Sequence, residues 1–76
     1  MILVDFMMKK KMAVNSPEAQ AFVYYQHVTV NGDFPRSPFS TMNEGDVVTL
    51  IQYNTETRQR GDVQVETYKG ESDGQN

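Results

Sequence analysis

One imidazole, no thiol and ten carboxylates are the groups with which this chain of 76 residues would do chemistry. A nucleophilic site needs a Ser, Cys or Thr beside a general base, and a third group to orient that base. The single base of that kind, His27, sits inside the run Tyr25-Gln26-His27-Val28-Thr29 and reads as a structural or surface histidine. Asp33, Glu44, Asp46 and Asp62 stand beside glycines. Asp in such places serves turns, where its side chain bonds nearby backbone. There is no Asp-x-Asp-x-Asp-Gly loop, no His-Glu-x-x-His pair and no glycine-rich phosphate cradle. The expectation is a protein that is not an enzyme, with no metal and no cofactor.

Binding motifs come next. Phe22, Tyr24, Tyr25, Tyr53 and Tyr68 would suit base stacking, with Lys9, Lys10, Lys11, Arg58 and Arg60 as phosphate contacts. Arg60-Gly61-Asp62 is a tripeptide that integrins recognise, and it also reads as strand-opening turn chemistry. Pro35-Arg36-Ser37-Pro38 is a minimal Pro-x-x-Pro, and equally a loop that blunts a sheet edge.

The elements that must position these groups read mainly as strands. In residues 1–8 the even positions Ile2, Val4, Phe6 and Met8 are apolar, which predicts a strand or an arm that adds to a partner's sheet. Asn15-Ser16-Pro17-Glu18 is a helix start, with Ser16 as cap and Pro17 at the first helical position, good for one or two turns. Residues 22–30 are rich in β-branched and aromatic types and predict a long central strand. The alternative is a helix running on to about His27. Asn31-Gly32 closes that stretch with a type I′ turn. Residues 33–39 hold Pro35 and Pro38 and form an extended loop pinned by Phe34 and Phe39. A turn at Asn43-Glu44-Gly45-Asp46 leads into a strand over 47–53, then a polar loop over 54–61. Residues 62–68 alternate cleanly, as a strand with one face to solvent does.

The fold class expected is mainly β: a small antiparallel barrel or sandwich of four to five strands with one short helical turn. Residues 1–12 form the apolar strand or arm, 13–69 a single β domain, and 70–76 a polar tail.

A net charge of −3 disfavours non-specific nucleic-acid binding. No stretch approaches the about 20 apolar residues of a membrane span, so no membrane partner is expected. The N-terminus is apolar before it is basic, the reverse of a secretory signal, which points to a cytoplasmic or virion location. A chain this short buries roughly 60% of its unfolded surface and carries more aromatic bulk than it easily hides. The leading expectation is therefore a protein–protein interaction module. It would be a small assembly subunit, such as a phage accessory or decoration protein, pairing with itself or with other subunits. Its contacts would be Ile2, Val4, Phe6, Phe22, Tyr24 and Tyr25. The alternatives are a single-stranded nucleic-acid binder and a small acidic inhibitor of a host enzyme acting through Glu44, Asp46, Asp62 and Glu66.

Overall fold

A computed structural model describes residues 1–69; the polar tail expected at 70–76 lies outside them. Two short helices, α1 (Leu3–Lys9) and α2 (Ser16–Tyr24), precede three strands, β1 (Val28–Val30), β2 (Val47–Asn54) and β3 (Gln59–Thr67). The strands form one open antiparallel sheet in the order β1-β2-β3. The β-rich expectation holds, but the sheet has three strands rather than four or five, does not close into a barrel, and is joined by two helices rather than one turn.

The N-terminal segment is neither strand nor arm. It is helix α1, and Leu3, Val4, Phe6 and Met7 lie in the core. Nearly every residue here is apolar, so the even-position pattern and a helical stripe fit equally well; burial at 3, 4 and 7 follows the helical spacing. Asp5 and Lys9 stand four residues apart on the exposed side, acid in the first turn and base in the last, as the helix dipole favours. Three backbone bonds tie the segment to residues 38–42, and one side-chain bond ties it to β3. Leu3 donates to Ser40 at 2.8 Å, Val4 to Pro38 at 2.9 Å, Met42 to Met1 at 2.8 Å, and Lys10 accepts from Gln64 Nε2 of β3 at 2.8 Å.

Residues 22–24, predicted as the opening of a long strand, complete α2 instead. Its cap is Asn15, whose Oδ1 accepts from the Glu18 amide, while Glu18 Oε1 accepts from the Val14 amide. Ser16 is the first helical residue and Pro17 the second, one position later than predicted. The strand that remains, β1, is three residues long.

Both helices end the same way. In α1, Lys11 takes φ 60°, its amide donates to Met8, and the Met12 amide reaches back to Met7 at 2.8 Å. In α2, Gln26 takes φ 61°, its amide donates to Val23, and the His27 amide reaches Phe22 at 2.8 Å. These are Schellman motifs with Lys and Gln where glycine is usual. The Asn31-Gly32 turn is as predicted: φ is 54° and 86°, and Val30 and Asp33 exchange both backbone bonds. In the 33–42 loop the anchor is buried Pro38; Phe34 and Phe39, predicted to pin it, are exposed.

The left-handed conformation strains a side chain that glycine would not strain. Gln26→Gly and Lys11→Gly should each raise unfolding free energy by about 0.5–1 kcal/mol, read from urea denaturation. A loss of stability in both variants would contradict the assigned helix ends.

Candidate functional site

β3 has an unusual sense. Its alternation predicts one solvent face, and apolar residues belong on the other. Here Val63 and Val65 are 56% and 53% exposed, while Gln64, Glu66 and Tyr68 are half-buried on the helix side. Three contacts set that sense. Tyr68 packs edge-on against Phe6, at 5.8 Å between ring centroids. Gln64 Nε2 donates both to the Lys10 carbonyl and to Glu66 Oε2. Thr29, Thr49 and Val65 stand in one cross-strand row, and burial falls along it from buried through half-buried to exposed. This face of the sheet is covered at β1 and open at β3.

The open face continues onto the far half of the β2–β3 hairpin. Residues 52–63 are all exposed. The reversal over 55–58 is held by Asn54: its Oδ1 accepts from the Glu56 and Thr57 amides and its carbonyl from the Arg58 amide. The Cα envelope measures 42 × 21 × 20 Å. Strands of eight and nine residues, at about 3.3 Å each, are the elements long enough to set its long axis.

At the hairpin's base, His27 extends the short strand β1 by one residue. Its carbonyl accepts from the Ile51 amide at 2.8 Å, and Nδ1 lies 3.3 Å from the Ile51 carbonyl, so the ring donates there from Nδ1. The ring is flanked by Phe22 at 6.2 Å and by Tyr53 at 5.7 Å between centroids. Phe22 and His27 line a cleft of about 300 Å³ together with Leu50, Ile51, Gln52 and Val63. A shallower hollow of about 410 Å³ runs on from Gln52 and Val63 toward Asn54 and Arg60. The two hollows share Gln52 and Val63.

The sequence-predicted residues are distributed as follows. Val4 and Phe6 are in the core and cannot meet a partner; Ile2 is half-buried and bridges Thr41. Phe22 is half-buried against His27, and Tyr24 and Tyr25 are 62% and 74% exposed at the end of α2. The five stacking rings do not form one platform: Tyr68 is on Phe6, whereas Phe22 and Tyr53 flank His27. Lys9, Lys10 and Lys11 close α1 beside Gln64, while Arg58 and Arg60 are on the hairpin. Four residues of strand, on the order of 13 Å, separate Arg60 from Gln64. Arg60-Gly61-Asp62 lies within β3, paired to Tyr53, Gln52 and Ile51, and not on the loop where display would suit it. Of the acids, Asp46 is engaged internally by Asn31 and Asn43, and Glu66 by Gln64. Among the described residues no group of three His, Cys, Asp or Glu could hold a metal ion, and no helix is long and apolar enough to cross a membrane.

Comparison with known proteins finds no match among family models, curated proteins or solved structures. The site therefore has to be read from its geometry. That Val63 and Val65 face solvent was not legible, because alternation shows that a strand has two faces, not which one turns inward.

His27 joins a ladder bond, a ring contact and the cleft wall. His27→Ala should lower unfolding free energy by about 1–2 kcal/mol and speed amide exchange at Ile51 and Tyr53. Unchanged exchange at both amides would show that the ring does not brace the hairpin.

Proposed function

We propose that this chain is a non-enzymatic protein-binding module, a small assembly subunit that docks on another protein chain through the exposed surface of its β2–β3 hairpin. One observation carries the reading: β3 turns Val63 and Val65 to solvent and Gln64 and Glu66 toward the helices. A lone hairpin is marginally stable in water, and this one runs well past the helices that support its base. Exposed Val63, Val65 and Tyr53 on one hairpin, with Val63 also lining a cleft, are apolar surface of the kind that marks protein contacts. The docking element expected at the N-terminus is thus moved to the hairpin, since the N-terminus completes the core. Small size, absence of cysteine and a projecting element suit an accessory or decoration subunit of a bacteriophage virion.

The divided rings and separated basic groups give no comparable support to base stacking, and the internal engagement of Asp46 and Glu66 gives none to an acidic inhibitor.

The test is Val63→Lys combined with Val65→Lys. Both positions are exposed, so stability should stay within about 0.5 kcal/mol of the parent. Sedimentation velocity over a range of concentrations, and affinity capture from the producing cells, should show the parent chain bound to copies of itself or to one protein in fixed ratio. The double variant should lose that species. A parent chain that stays monomeric and retains nothing, or a complex indifferent to both lysines, would overturn the reading.

A further inference from the structure

The Asn31-Gly32 turn has a second property. Asn followed by Gly is the dipeptide in which a backbone amide most readily attacks the preceding side-chain amide, because glycine has no side chain to obstruct it. Both residues are exposed, so water reaches them. Yet every polar group of Asn31 that the reaction must move is engaged. Its Nδ2 donates to Asp46 Oδ1 at 2.9 Å, its Oδ1 accepts from the Val47 amide at 2.9 Å, and its own amide donates to the Val47 carbonyl at 2.8 Å. Asp46 is fixed in turn, its Oδ2 accepting from the Asn43 amide at 2.8 Å. The side chain is held across the ladder onto β2, not back over its own chain.

We infer that Asn31 is a latched deamidation site, closed in the folded protein and opened by any excursion that parts β1 from the start of β2. In the reaction the Gly32 nitrogen bonds to Asn31 Cγ, and the Cγ–Nδ2 bond breaks. Ammonia leaves with the Gly32 amide proton, and a succinimide ring results. Water then opens the ring at either carbonyl, giving Asp or isoaspartate, with no oxidant or reductant involved. Neither product restores the latch. An Asp places a carboxylate against Asp46 Oδ1, and an isoaspartate adds a methylene to the main chain of a two-residue turn. Modification is therefore a one-way exit from the native state, and it records how often this end of the sheet has opened.

The experiment is incubation of the intact chain at neutral to mildly alkaline pH, with peptide mapping by mass spectrometry to locate the product. Asn15, Asn43 and Asn54 serve as internal references. The folded chain should convert at Asn31 at least roughly tenfold more slowly than the same chain in denaturing urea, as expected where opening precedes reaction. Asp46→Ala should bring the rate in buffer toward the unfolded rate. Asn31→Asp, a mimic of one product, should lower the folded-to-unfolded ratio several-fold, since the bond to Asp46 is lost and like charges meet. If Asp46→Ala fails to fold, the urea dependence of the parent chain alone decides. Equal rates in buffer and in urea, or no Asn31 conversion in urea, would overturn the inference.

Discussion

Leu3, Phe6 and Met7 are fully buried, and all three come from a helix of seven residues. A helix that short does not persist alone in water; it exists because its surroundings hold it. They do so in two ways. Its apolar side packs on α2 and shares one core with Ala19 and Val23 and with Val28 and Val48 of the sheet, and Phe6 meets Tyr68 just beyond β3. Its first backbone amides, which no side chain caps, are satisfied by the carbonyls of Pro38 and Ser40. The loop over residues 37–42 thus acts as the cap of α1, and burial of Pro38 fixes that loop. Core, loop and helix are conditions of one another.

The same economy shapes the sheet. β1 has three residues, too few to align a sheet alone, and a side chain extends it at each end. His27 engages both backbone groups of Ile51, and Asn31 engages both backbone groups of Val47. β1 therefore registers β2 over a span longer than its own length. This lets β2 run on into a hairpin that the helices do not cover. The rigidity of the hairpin's base follows from residues that lie outside any strand.

What could be read from the sequence was local and short. Both positive φ values of Asn31-Gly32, the turn at Gly45 and the start of β2 at Val47 follow from residue types acting within a few positions. What could not be read depended on competition between periods. Residues 1–8 satisfy both strand and helix patterns because they are apolar almost throughout, and tertiary burial chose the helix. Phe22, Val23 and Tyr24 are strand formers by propensity, and the Asn15 cap with its Glu18 partner overrode them for nine residues. The helix ends were obscured because Lys11 and Gln26, not glycine, adopt the left-handed conformation. Of the six expected contact residues, Val4 and Phe6 were drawn into the core by the same choice of helix, while Tyr24 and Tyr25 remained outside.

The way the hairpin presents itself also distinguishes between two kinds of docking. β3 is an edge strand, and an open edge can pair with another strand. Here Leu50 pairs with Gln64 and Ile51 with Asp62, so Val63 is an extra residue and the ladder shifts at that point. A bulge of this kind bends the strand and interrupts the regular row of donors and acceptors that strand addition requires. It also places Val63 on the rim of the cleft beside Ile51 and Gln52. The irregularity that makes the edge a poor template makes the face a better one. A partner that engages this hairpin should therefore meet side chains more than backbone. Its selectivity would rest on the shape around Tyr53, Val63 and Val65 rather than on a generic extended strand.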